Sequence, residues 1–330
     1  MIQKSVQILK QLQYPSGLFS ASSLNVKTGY DKSWIRDNIY ESLGLEAIKD
    51  FDALSKVYWA LLDIMLKHEY KIDWAIKKKP IYKHEYIHAR FHPHTFDEFH
   101  EEWGNKQNDA IGALLFKVGD LLDKGINILR NKSDLRILQK LVYYLGSIEY
   151  WHDKDNGMWE ENEEVHASSV GACVAGLKKI SKYVYVPEWI IEAGQSTLNS
   201  LLPSESETKK VDLALLSLIY PYNIVTEEQA KLILMNVEKH LVRKRGVIRY
   251  AGDKYYNRNG EAEWTMGFPW LAIIYKQHGN YTMFIYYSRK TLEVTNADNE
   301  LPELYYADSG EHNENSPLGW SQALSIVAGL

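Results

Sequence analysis

A single cysteine, Cys173, stands in 330 residues. This excludes an intramolecular disulfide framework, and within its apolar helical stretch Cys173 reads as a small buried residue. No window holds the roughly 20 consecutive apolar residues of a membrane span. The start, Met1-Ile-Gln-Lys-Ser-Val, is amphipathic and has no apolar run of secretory-signal length. Basic residues are scattered and the formal net charge is −5, so no cationic surface is available to track phosphates, and nucleic acid is not an expected partner. Phenylalanine is scarce as well, 8 residues against 23 Tyr and 10 Trp. These absences predict a cytoplasmic globular protein that partners neither membrane nor nucleic acid.

The surplus of Trp and Tyr bears on function. Each carries a flat apolar face and a polar tip, which suits stacking on a sugar ring while bonding its hydroxyls, although a core can use both residues too.

A 3.6-residue period predicts about twelve helices, over 2–13, 35–49, 51–70, 107–124, 133–151, 165–183, 187–202, 209–220, 226–241, 265–278, 280–295 and 318–330. Connections after even-numbered helices are short. Those after odd-numbered helices are mostly long and rich in Gly, Trp, Asp, Glu and Arg: 14–34, 71–106, 152–164, 242–264 and 296–317. Antiparallel hairpins in a ring would place all the long loops on one face. A polar-aromatic loop face opposite a face of tight turns is how a binding cleft is built. The expectation is an all-α fold, an (α/α)6 barrel of six hairpins forming one domain over 1–330.

Five of the long loops contain residues that sugar chemistry could use. In Thr28-Gly-Tyr-Asp-Lys-Ser-Trp-Ile-Arg-Asp37, Arg36 can donate to hydroxyls and Asp37 can accept from them. Asp37 could equally be a helix cap. Trp103-Gly-Asn-Lys-Gln-Asn-Asp109 offers a stacking plane in Trp103 and polar contacts in Gln107 and Asp109. Asp155-Asn-Gly-Met-Trp-Glu-Glu161 is the most specific. A Gly turn there delivers Trp159 with two adjacent carboxyls, and crowding like charges beside an aromatic raises one pKa, as a general acid requires. The fourth loop holds Arg249-Tyr-Ala-Gly-Asp253, Trp264 and Gly267-Phe-Pro-Trp270. In the fifth, Glu303 lies between apolar residues, while Glu311 and Glu314 compete with it for any catalytic role. Glycoside hydrolysis needs two carboxyl groups, and Glu160 and Glu303 fall on the same expected face.

His84, His88, His92, His94 and His100 raise the alternative of a metal site. The stretch has no nearby cysteine and no carboxylate ligand pattern, so neither a metal nor another cofactor is expected.

At these residues the chain resembles the glucoamylase family, glycoside hydrolase family fifteen, in ordered segments along nearly its whole length. Trp34-Ile-Arg-Asp37 is similar to the family's Trp-x-Arg-Asp loop, whose Arg and Asp hold the terminal sugar. Trp103-Gly-Asn-Lys-Gln-Asn-Asp109 resembles its Trp-Gly-x-x-Gln-x-Asp segment, and Trp159-Glu160-Glu161 its Trp-Glu-Glu. Arg249-Tyr250, Asp253 and Gly267-x-Pro-Trp270 resemble a stretch whose Arg binds sugar. The resemblance implies an inverting mechanism with Glu160 as general acid, Glu303 as general base and Glu161 on the sugar, releasing β-glucose from the non-reducing end of an α-glucoside or oligosaccharide. One departure is Pro302-Glu303-Leu304-Tyr305, where glucoamylases carry Glu-Gln after a small residue. That variant is more similar to the glucoamylase-like region of phosphorylase kinase regulatory subunits, which implies the alternative of a catalytically silent glucan-binding domain.

Overall fold

The computed structural model describes residues 2–101 and 104–329. Among them run thirteen α-helices: α1 (Ile2–Leu12), α2 (Ile35–Ala47), α3 (Phe51–Lys67), α4 (Glu69–Lys77), α5 (Asn108–Asp123), α6 (Lys132–Ile148), α7 (Ala167–Ile180), α8 (Glu188–Leu201), α9 (Leu216–Ile219), α10 (Glu227–His240), α11 (Gly267–Gln277), α12 (Tyr281–Glu293) and α13 (Gly319–Gly329). None is long and apolar enough to cross a membrane.

The helices separate by burial. Those of the inner ring are covered nearly all round: α7 buries every residue from Ala167 to Leu177 and α5 every residue from Asn108 to Gly119. Outer helices bury one narrow stripe, Tyr287 and Thr291 in α12, or Ile190, Gly194 and Leu198 in α8. Contacts run α2–α5–α7–α9–α11–α13 and back to α2, closing the ring. The outer helices α1, α3, α8, α10 and α12 each pack on a ring member, and α4 and α6 pack on one another. This is the expected (α/α)6 barrel.

Two helices depart from their expected spans. The third expected helix breaks at His68 and resumes as α4 to Lys77, inside a stretch expected to be loop. The eighth, expected over 209–220, is a 3-10 turn (Leu213–Leu215) followed by the four-residue α9. Asp212 caps the turn by accepting from the Ala214 N–H at 2.8 Å. Pro221 forces Tyr220 into extended backbone, which stops α9.

Packing in the ring is tightest between α5 and α7, where backbone meets backbone. A Cβ added at Gly112 would lie 2.4 Å from the Cys173 nitrogen, and one at Gly176 would lie 2.3 Å from the Gly112 carbonyl oxygen. Gly112→Ala is therefore expected to lower the unfolding free energy by about 3 kcal/mol, because two main chains must separate and no flexible side chain can yield. Urea titration measures it, and a loss below about 1 kcal/mol would show that the helices part easily.

The long loops meet one another. β1 (Ser33–Trp34) pairs antiparallel with β2 (Arg90–Phe91), and β3 (Glu263–Trp264) with β4 (Leu304–Tyr305). Each two-residue ladder joins loops from different hairpins, which fixes these loops on a common face and sets Trp34, Trp264 and Glu303 in position.

Candidate active site

The loop-rich end of the ring holds a pocket with about 560 Å³ of atom-free space when its open mouth is included. Of the residues singled out in the sequence, Trp34, Arg36, Asp37, Trp159, Glu160, Arg249, Trp264 and Glu303 line it.

Glu160 arrives on a constrained turn. Asn156 clasps the loop from both sides: its N–H donates to the Lys106 carbonyl at 2.8 Å, and its Nδ2 donates to the Glu161 carbonyl at 2.6 Å. Gly157 has φ +63° and Glu160 itself +64°, a left-handed conformation that costs a non-glycine residue roughly 1–2 kcal/mol and tends to mark functional sites. The Glu160 side chain is 22% exposed and its Oε1 accepts from Arg36 Nη2 at 3.4 Å. Burial pushes its pKa up to about 8, with Asp37 adding to the rise, against the pull of Arg36 and Gln107.

Arg36 is held from behind. Its Nη1 donates to Gln107 Oε1 at 2.8 Å and to Asp109 Oδ2 at 2.9 Å. Gln107 and Asp109 are thus buried second-layer residues and not part of the pocket wall. Asp37, beside Arg36, is raised to about 6, chiefly by burial.

Arg249 makes a two-pronged pair with Asp253, Nε to Oδ2 and Nη2 to Oδ1, both 2.7 Å. Its Nη2 also donates to Glu161 Oε1 at 2.7 Å. Its guanidinium lies over Tyr255 at 4.9 Å, Trp264 at 5.1 Å and Trp159 at 5.4 Å. Glu161 is taken up by Arg249, Lys209 at 3.0 Å and the Tyr250 hydroxyl at 2.5 Å, and it lies outside the pocket lining. Trp159 donates from Nε1 to Asp212 at 2.8 Å, which fixes its plane.

Glu303 is fully buried. Its Oε1 accepts from the Tyr30 hydroxyl at 2.6 Å, and its Oε2 accepts from Asn313 Nδ2 at 2.5 Å and Asn315 Nδ2 at 2.7 Å. Burial raises its pKa, while these three donors and the Arg249 charge pull it back. Glu311 and Glu314 are exposed and outside the pocket.

Trp270 does not line the pocket; it is fully buried, 5.6 Å ring to ring behind Trp320, with Nε1 donating to the Tyr220 carbonyl at 2.8 Å. Its place inside α11 turns it toward the ring interior. Trp103 lies outside the described residues. Within the histidine stretch, His88 Nδ1 accepts from the Arg90 N–H at 3.0 Å, and His92 Nδ1 from the N–H groups of His94 and Thr95. Among the described residues no three His, Cys, Asp or Glu side chains could share a metal ion.

Lining residues not singled out in the sequence are Ala21, Tyr30, Met158, Tyr255, Leu318 and Trp320. Asn313 and Asn315 had a usable signal. Residues 312 and 313 pair back onto 304 and 305 in extended backbone, and alternate residues of an extended segment share a face.

The chain matches the family model for glycosyl hydrolases family 15 over residues 1–184. It is 25% identical to the skeletal muscle isoform of the phosphorylase b kinase regulatory subunit alpha of Oryctolagus cuniculus, over 91% of this chain and 30% of that one. The chain spans about a third or less of the length of the curated relatives it matches. Among solved structures it is similar to a glutamate-to-alanine variant of a glycosidase in complex with glucose, at TM-score 0.85 and 19% identity, covering 99% of this chain and 95% of that one. It is also similar to the glucoamylase from Saccharomycopsis fibuligera, at TM-score 0.70 and 15% identity, covering 99% and 94%. On the family match, which takes in the Arg36, Gln107 and Glu160 segments, the chain belongs to glycosyl hydrolases family 15.

Proposed function

We propose that the chain is an inverting, exo-acting glycoside hydrolase that releases glucose from the non-reducing end of α-glucosides or short α-glucans, and that 1–330 is one catalytic domain. The observation that carries this is the meeting, in one pocket, of two carboxyl groups with different partners, Glu160 beside Arg36 and Glu303 among the donors of Tyr30, Asn313 and Asn315. Glu160, raised to about 8, keeps its proton at neutral pH and donates it to the leaving oxygen. Burial raises the Glu303 pKa as well, but three hydrogen-bond donors and a nearby guanidinium pull it back, and as the anion it draws the proton from the attacking water. Arg36 and Asp37 share the hydroxyls of the terminal sugar, and Trp34 and Trp159 offer it apolar faces. Gln107 and Asp109 act by holding Arg36, and Glu161 by holding Arg249. No metal or cofactor enters this chemistry.

A second reading, a catalytically silent glucan-binding regulatory domain, is favoured by the names of the curated relatives, which are regulatory subunits. Incubation with maltose, isomaltose, trehalose and maltooligosaccharides separates the two. Glucose release supports the hydrolase, and the preferred sugar gives the linkage. Binding without release supports the silent domain.

The pH dependence of kcat/KM follows from the same carboxyls. Activity should fall as pH rises through about 8, where Glu160 loses the proton it must donate. It should fall on the acid side as Asp37, near 6, and Glu303, above the ordinary carboxylate range, take up protons. A rate still undiminished one unit above pH 8 would remove Glu160 as the acid.

A further inference from the structure

One helical turn beyond Asp37 on α2, about 6 Å deeper in the barrel, lies a carboxyl that the proposed chemistry does not use. Glu41 is 0% exposed, and neither of its oxygens has a hydrogen-bond partner in the structure. Room for it comes from the first residue of α13, because a Cβ at Gly319 would fall 1.7 Å from Glu41 Oε1. Gln322 shares that face of α13, three residues on, and helical side chains lean toward the N-terminus, here toward the Gly319 gap. Gln322 is also 0% exposed, with both ends of its amide unpartnered. Two fully buried polar side chains therefore face one seam, each with unmet hydrogen-bonding capacity and no bond between them. Buried polar groups are almost always satisfied, and water is the usual agent when no protein group reaches.

We propose that the seam between α2 and α13 is a buried water site built by Glu41 and Gln322, through which Glu41 in its protonated form steadies the Asp37 carboxylate on the pocket wall above. Glu41 is a positioning residue: it touches no substrate and acts through Asp37. Burial first, and then the Asp37 charge, holds the Glu41 pKa well above the carboxylate range, so a hydroxyl is available to donate. The other charged groups facing Asp37 are Arg36, Asp109 and Glu160, none of which the test variants alter. This role rests on the proposed sugar-binding role of Asp37, whereas the water site itself does not.

Two measurements test the two parts. A high-resolution crystal structure is expected to show ordered water bonded to both Glu41 and Gln322. A direct Glu41–Gln322 hydrogen bond, or a dry seam, would overturn the site whatever the protein's activity. Maltose affinity measured calorimetrically against pH tests the coupling. Glu41→Leu is expected to raise the acid-side midpoint by about one unit, which is about fivefold weaker binding near pH 6 and nearly unchanged binding near pH 8. Glu41→Gln, which keeps a donor, should follow the native curve. Native-like midpoints in Glu41→Leu would refute the coupling, and Gln322→Leu supplies the same comparison if that variant does not fold. Failure of the native protein to bind maltose at any pH would instead count against the proposed function and the coupling together, leaving the crystallographic result to decide the site.

Discussion

Glu160→Gln is expected to cut kcat on maltose by about 10²–10⁴-fold, the range for loss of a general acid, with little change in KM. The substitution is conservative in every other respect. Glutamine keeps the size and the acceptor oxygen that Arg36 Nη2 approaches at 3.4 Å, and it bears the +64° backbone as well as glutamate does. Only the transferable proton is lost. A second consequence concerns stability. Because burial raises the folded-state pKa to about 8 from 4.5, the unfolded chain releases this proton first as pH climbs. The native protein thus loses stability between those two values, and the amide variant has nothing to titrate there. The melting temperature of Glu160→Gln should rise relative to the native protein across that window and then run parallel. The gain is under about 5 kcal/mol, since the side chain is 22% exposed to solvent. Native-like turnover in the variant would end the assignment of the acid. Melting curves that stay parallel throughout would mean that Glu160 is not held protonated.

The ring was legible in the sequence because its cause is local. Apolar residues at a 3.6-residue period define helices wherever they sit, and the alternation of short and long connections orders them into hairpins. The break between α3 and α4 and the shortness of α9 escaped because other effects outweighed the period. The helix breaks at His68, while Asp212 caps a 3-10 turn ahead of α9 and the extended backbone of Tyr220 before Pro221 ends it. The site shows a similar division. Carboxyls and guanidinium groups stand out in loops, so Arg36, Asp37, Glu160, Arg249 and Glu303 could be named in advance. Which of the named residues face the pocket depends on packing across the barrel, at sequence separations that no local pattern encodes. Asp109 and Gln107 stand behind Arg36 across a separation of about 70 residues, and Tyr30 reaches Glu303 across 273. Trp270 misled for the same reason: a tryptophan beside a loop motif can turn toward the ring interior, and nothing in the motif says which way it faces.

Glu303→Gln is expected to lower kcat as severely as loss of the acid does, by about 10²–10⁴-fold, while maltose binding and folding survive. The hydrogen bonds explain why the site should stay intact. Oε2 accepts two amide N–H donors, from Asn313 and Asn315, and Oε1 accepts only the Tyr30 hydroxyl. A glutamine can place its carbonyl oxygen where Oε2 stands and its amide nitrogen where Oε1 stands. Tyr30 then rotates its proton toward the Tyr255 hydroxyl, 3.0 Å away, and accepts from the new amide. Both asparagine donors and Tyr30 keep partners, so the penalty of about 1–3 kcal/mol for each orphaned group does not arise for them, and only the second amide N–H of the glutamine is without a named acceptor. The variant should melt at or above the native temperature near neutral pH, because a fully buried charge has been removed. Glu303→Leu makes the contrast: it strands Tyr30, Asn313 and Asn315 together and should destabilise the fold. Single-turnover measurements on Glu303→Gln with maltose distinguish the cases. Unchanged binding with lost turnover fits a base that acts on water alone. Equal loss of binding and turnover would make Glu303 a contact for the sugar and not the base. A variant that turns over normally would remove Glu303 as the base.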